Sequence, residues 1–223
     1  MKKETKRNLS ISISLLTAFI LWTALVRIVD RQAIGPRDST VGFATLNGYV
    51  HELFGVHMSL YNVTDWLGLV PIAIMLCFGL LGLMQWIKFQ KLLSVDRNIL
   101  ALGVFYVAIF AIFILFEVLV INYRPVLIDG ALEASYPSST TMLAMCVMPT
   151  AMMQFKRYVK SKVLKVVLVY SSIAFTVFMV LGRMISGVHW ITDIIGGALI
   201  SAGLVMMYYT YQAWSVSPCP RIL

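Results

Sequence analysis

The sequence predicts an all-α fold, a polytopic membrane bundle of about six transmembrane helices in a single domain over residues 1–223. Three observations point there. Of 223 residues, 60% are apolar and only 13% are charged, and the mean hydropathy is +0.85, too few charges to wet the surface of a soluble domain of this size. The apolar residues fall in long blocks instead of alternating with polar ones, the pattern that lipid selects. The remaining charges are sorted by sign from loop to loop, as membrane insertion requires.

The first block, about 9–29, follows the basic start Met1-Lys2-Lys3-Glu4-Thr5-Lys6-Arg7. It is longer than a signal-peptide core and no small-x-small cleavage site follows, so it reads as a retained anchor. The segment 30–64 contains Gly35-Pro36, a weakly amphipathic stretch near 43–56, and two of the three histidines, His51 and His57. It is expected to lie along the membrane surface as short helices. Blocks at about 65–87 and 98–121 are each long enough to cross a bilayer. The loop 122–138 is bracketed by Pro125 and Pro137, each of which disfavours helix at the residue before it. A shorter block at about 139–155 opens on a run of hydroxyls, and blocks at about 163–182 and 190–212 complete the set.

Under this layout, thirteen of the eighteen Lys and Arg residues share one side with only Glu4 and Asp96. The other side holds Arg27, Arg31, Arg37, Arg124 and Arg183 with eight acids and no lysine. The asymmetry predicts a multi-pass cell-membrane protein with cytoplasmic termini and cytoplasmic loops at 88–97 and 156–165. The net charge of +8 is therefore a topology signal, and no nucleic-acid partner is expected. Cys77, Cys146 and Cys219 form neither a disulfide framework nor a metal spacing.

Ionisable groups near membrane helix ends cost free energy and need a reason. The external side collects several. His189 and Asp193 are four apart at the start of the last block, one turn apart on one face. A carboxylate there can accept the Nδ1 proton of the imidazole and leave Nε2 free as a nucleophile or base. Arg183, just upstream, supplies a planar cation suited to bidentate phosphate binding. Asn122-Tyr123-Arg124-Pro125 places a second arginine directly after a long apolar block. Ser138, Ser139, Thr140 and Thr141 follow Pro137 at a helix N-terminus, where free N–H groups and hydroxyls can hold an anion.

The order Arg-Pro, then Pro-Ser-x-x, then Arg-x5-His-x3-Asp resembles the type 2 phosphatidic acid phosphatase superfamily of integral membrane lipid phosphatases. The resemblance spans residues 117–193 and implies that His189 is the phosphate nucleophile, Asp193 its partner, and Arg124 and Arg183 the phosphate clamp. Backbone N–H groups and hydroxyls at 138–140 would help hold the phosphoryl oxygens. The chain departs from the family pattern at three positions. Gly182 stands where the family has serine. Glu117 stands in place of a lysine, and is expected either to pair with Arg124 or Arg183 or to be kept protonated by burial. Thr140 stands in place of the general-acid histidine.

Threonine cannot deliver a proton near neutral pH, and loss of a general acid typically costs about 10²–10⁴ in rate. The penalty is large for an alkoxide leaving group and small for a phosphate. The expected function is therefore a lipid phosphatase or diphosphatase acting through a phosphohistidine, with no cofactor or metal, at a site facing outside. Its expected partners are the bilayer and a lipid phosphate or diphosphate, such as a polyprenyl diphosphate. His51 or His57 is a candidate surrogate acid. The rival readings are a phosphotransferase using the same His/Asp core and a non-catalytic relative that binds or moves a lipid phosphate.

Overall fold

The computed structural model describes residues 3–91 and 94–215; Lys2, Cys219 and Arg221 lie outside them. The described residues are all-helical, with no strand beyond isolated bridges in the loops. Eight α-helices follow in order: α1 (Lys3–Ile28), α2 (Ala44–Phe54), α3 (Met58–Leu67), α4 (Leu69–Phe89), α5 (Arg97–Val118), α6 (Ser139–Tyr158), α7 (Lys162–Ile185) and α8 (Ile191–Ser215). Each of α1, α5, α7 and α8, and the continuous stretch Met58–Phe89, is long and apolar enough to cross a membrane. Large apolar side chains such as Ile20, Leu80, Val104, Val107 and Val163 point outward, as helices solvated by lipid require.

The pattern of burial explains why α6 has the weakest apolar signal of the set. At 20 residues it is about 30 Å long, but it packs against α7 and α8 and hides Met142, Ala144, Cys146, Val147, Thr150, Ala151 and Gln154. A helix wrapped in protein needs small and polar residues for its neighbours, so its composition drifts away from lipid. The same holds for α8, whose Gly203 lies against Leu16 of α1 and whose Gly203 carbonyl accepts from Ser12 Oγ at 2.8 Å. At Gly196, an added Cβ would fall 2.6 Å from the Tyr136 ring. Small residues here let the 122–138 segment sit directly on α8.

Within the segment 30–64, expected to form short helices, lie α2 and the start of α3. Residues 58–64 belong to α3, which continues past the expected boundary to Leu67 and runs into α4 with only Gly68 between them. Asp65, expected at the start of the second apolar block, lies on α3 and is engaged by a buried arginine described below. Asn47 of α2 clamps the start of α8: its Nδ2 donates to Gly42 O at 2.7 Å and Thr192 Oγ1 at 3.0 Å, and its Oδ1 accepts from Thr192 N at 3.3 Å. The α2–α3 turn sits on the turn between α7 and α8, where His57 N donates to Ser186 O at 2.9 Å.

Gly187 makes that docking possible. Its φ is +68°, and a Cβ would fall 1.9 Å from the Gly55 carbonyl oxygen. Gly187→Ala therefore meets both backbone strain and a clash with main chain, and is expected to cost about 2 kcal/mol or more. Gly130→Ala, also at positive φ but with open space around it, should carry only the strain, about 1 kcal/mol. Thermal unfolding of the two variants in detergent checks the order; equal midpoints would show that the Gly55 contact is not tight.

Candidate active site

Five segments converge at one end of the bundle. The α7–α8 turn contributes His189, and α8 begins one residue after Trp190. Asp193 occupies the third position of α8, and its Oδ2 accepts from Trp190 N at 3.0 Å, the back-reaching half of a capping box. Asp193 thus stabilises the helix start while lying in the site. Its other contacts are all donors as well: Ser135 Oγ donates to Oδ2 at 2.5 Å and Asn122 Nδ2 to Oδ1 at 3.4 Å. Backbone pairing of Ser135 N with Asn122 O at 2.9 Å, and of Ser138 N with Asp193 O at 3.1 Å, holds the 122–138 segment against α8.

His189 is buried, and both ring nitrogens are engaged. Nδ1 lies 3.0 Å from Ser135 Oγ and Nε2 lies 3.1 Å from Arg124 Nη1. The pair expected from spacing, Nδ1 to Asp193, is 3.9 Å apart at Oδ2, too long for a hydrogen bond. The serine hydroxyl stands between them. The four-residue spacing does bring the two residues close, but not on one helix face as expected: His189 stands in the turn before α8 and only Asp193 is on the helix, and the separation is left for a third group to fill.

Donor and acceptor chemistry fixes the direction of every link in this chain. A guanidinium only donates, so Nε2 accepts and carries no proton. The neutral ring therefore bears its proton on Nδ1, which donates to Ser135 Oγ. The single hydroxyl proton of Ser135 goes to Asp193. Burial holds the imidazole well below its ordinary titration range, and the charges of Arg124 and Arg183 lower it further. The ring is thus neutral near pH 7, with an unprotonated Nε2 facing Arg124.

The two arginines are held by acids outside the relay. Arg124 lies with Nε 3.0 Å from Glu133 Oε2, and its backbone N donates to Glu133 O at 3.0 Å. Arg183 is 1% exposed, and its Nη2 donates to Asp65 Oδ1 at 2.7 Å. Its Nε and Nη1 are buried with no hydrogen-bond partner. Tyr61 of α3 supports both cations, its ring centroid 4.8 Å from Arg183 Cζ and 6.0 Å from Arg124 Cζ, within range of cation–π attraction.

The remaining predicted residues take varied places. Ser138 is buried and its Oγ caps α6, accepting from Thr141 N at 3.5 Å, which leaves its O–H proton uncommitted. Ser139 lines a small cavity together with His189, Ser135, Pro137 and Glu117. Thr140 is half-buried, and Thr141 is buried with an unpartnered Oγ1. Pro125 is half-buried in the turn after Arg124. Glu117 departs from both sequence expectations: it is exposed, and it pairs with neither arginine, which bind Glu133 and Asp65 instead. His57 Nε2 contacts Phe54 O at 2.9 Å. His51 packs against Trp190 with ring centroids 5.4 Å apart and planes tilted by 57°, and neither histidine contacts the His189 relay.

The His189 cavity holds about 10 Å³, room for one water-sized group. An apolar cavity of about 70 Å³ adjoins it through Phe113, Ser139 and Met142 and extends to Met75, Ile109 and Phe110. Ser135, Asn122, Tyr61 and Asp65 are site residues that sequence reading did not assign. Asn122 and Ser135 flank the recognised motifs, so their position beside Arg124 and Pro137 was the available signal. Tyr61 and Asp65 had none, because only folding brings α3 against α7.

Residues 104–217, slightly more than half of the chain, match the family model of the PAP2 superfamily. The fold is similar to the crystal structure of a transmembrane PAP2-type phosphatidylglycerolphosphate phosphatase from Bacillus subtilis. The two share 17% identity with a TM-score of 0.62, over 92% of this chain and 96% of that one. No curated protein matches the chain.

Proposed function

Since the chain belongs to the PAP2 superfamily, we propose that it is a membrane lipid phosphatase in which His189 Nε2 attacks a phosphoryl group held by Arg124 and Arg183. The observation that carries this reading is the pair of buried, unpartnered donors on Arg183 in a site whose neutral imidazole has its lone pair turned toward a second guanidinium. Buried donors without acceptors are costly. A phosphoryl oxygen is an acceptor of the right charge and geometry for both arginines.

When phosphate binds, the Arg124 donor moves from Nε2 to a phosphoryl oxygen and the nucleophile is uncovered. Nε2 then forms the bond to phosphorus while the phosphorus–oxygen bond to the leaving group breaks, and the leaving oxygen takes that electron pair. The imidazole becomes an N-phosphorylated cation. Water subsequently attacks phosphorus, releases phosphate and restores the neutral ring. The arginines stabilise the charge on the equatorial oxygens in both steps. The positive-inside asymmetry supports a site that faces outside the cell, with both termini in the cytoplasm.

Thr140 offers no proton to the leaving oxygen, and neither His51 nor His57 reaches the relay. The substrate that suits such a site carries its own good leaving group, as a polyprenyl diphosphate does. Purified full-length chain should therefore turn over polyprenyl diphosphate faster than phosphatidate by about 10²-fold or more in kcat/KM, the lower end of what an absent general acid costs. Comparable rates would remove the diphosphate preference. The exposed, unpaired Glu117 in the cavity wall favours a second reading, a non-catalytic binder. That reading predicts lipid phosphate binding without phosphate release.

A further inference from the structure

The relay between His189 and Asp193 passes through a residue outside the recognised motifs. Ser135 Oγ lies 3.0 Å from His189 Nδ1 and 2.5 Å from Asp193 Oδ2, whereas the direct nitrogen–oxygen separation is 3.9 Å. Ser135 is buried, as are His189 and Asp193, so water does not compete for these bonds. Asp193 already receives Trp190 N and Asn122 Nδ2, and the serine proton is its third donor. The hydroxyl has one proton to give and gives it to the carboxylate. Its lone pair is then the only acceptor left for the imidazole N–H.

We infer that Ser135 is a positioning residue that couples Asp193 to His189, transmitting the carboxylate's charge to the ring through an oriented hydroxyl. This rests on the phosphatase reading above. A short bond to a carboxylate polarises the hydroxyl and makes its oxygen a stronger acceptor. The ring proton on Nδ1 is thereby held in place, and the positive charge that develops when Nε2 takes the phosphoryl group is stabilised without moving a proton. Ser135 also ties this relay to the phosphate cradle, because it lies three residues before Ser138 and pairs through its backbone with Asn122, next to Tyr123 and Arg124. The charged or titratable groups facing the ring are Arg124, Arg183 and Asp193, with Glu117 across the cavity and His51 behind Trp190.

Ser135→Ala leaves the Nδ1 proton buried without an acceptor, and Ser135→Thr keeps the hydroxyl. The alanine variant should lose about tenfold to a hundredfold in kcat, the scale seen when a histidine loses its outer hydrogen-bond partner, with KM for polyprenyl diphosphate little changed. The threonine variant should recover most of the loss. Ser135→Ala combined with Asp193→Asn should be no slower than Asp193→Asn alone, because the two act through one chain. NMR titration of His189, assigned with His189→Gln, should place its protonation at lower pH in Ser135→Ala than in the parent. That readout needs no turnover, so it separates failure of the relay from failure of the phosphatase reading. An unchanged or raised His189 titration, a threonine variant as slow as alanine with intact folding, or additive losses in the double variant would each overturn the relay.

Discussion

His189→Ala is expected to abolish phosphate release, with a loss of at least about 10³ in kcat against a lipid diphosphate. The magnitude follows from its position as a buried imidazole whose unprotonated nitrogen faces Arg124. Nothing else in the relay can take its place: Ser135 donates its proton to Asp193, and Asp193 is committed to three donors. Rapid quenching of the parent during turnover should trap an acid-labile phosphoryl group on the chain, and the alanine variant should show none. Retention of turnover by His189→Ala would dismiss a nucleophilic role.

The pH dependence of the parent follows from the same environment. The active imidazole is neutral, and burial lowers its protonation below the ordinary value of about 6.5. Activity limited by this group should therefore persist as pH falls through 6.5 and fail only at lower pH. In the unfolded chain His189 takes up its proton near 6.5. Folding stability should accordingly be full above that value and decline below it, until pH falls through the lowered folded pKa.

Arg183→Ala is expected to cost about 10²–10³ in kcat, the scale for removing one charge-stabilising donor group, together with a weaker KM. The side chain is 1% exposed and keeps two buried donors without acceptors, so its binding capacity is not spent inside the protein. Its ionic partner among the described residues, Asp65, is 60% exposed; losing that contact leaves a solvated carboxylate and adds little to the stability change. The replacement Arg183→Lys should not restore activity, since an ammonium lacks the planar fork that meets two phosphoryl oxygens at once. Full activity in the lysine variant would show that only charge matters at this position. Steady-state rates with unchanged detergent-extracted melting behaviour would distinguish a site effect from misfolding.

Some of this was legible in the chain because it depends on local or additive physics. Lipid solvation acts on each apolar block by itself, so the blocks at 98–121 and 163–182 announced α5 and α7 without knowledge of their neighbours. The four-residue spacing of His189 and Asp193 announced that the two would lie close, although His189 stands in the turn before α8 and not on its face. Long apolar blocks say less about helices that protein encloses. For that reason α6, packed among α7 and α8, carried the weakest signal, and nothing in α3 showed that Tyr61 and Asp65 turn toward arginines.

The amino-acid sequence by itself determined an all-helical membrane chain, its charge asymmetry, and a set of Arg, His and Asp groups suited to phosphate. Only the tertiary structure decided how those groups are wired. Hydrogen bonds switch on and off over less than an ångström, a distance no residue spacing encodes. At 3.9 Å the His189–Asp193 pair is one such gap, and the folded 122–138 segment delivers Ser135 into it. Folding likewise chose Glu133 and Asp65, not Glu117, as the acids that hold the two arginines, because pairing of charges depends on which helices meet.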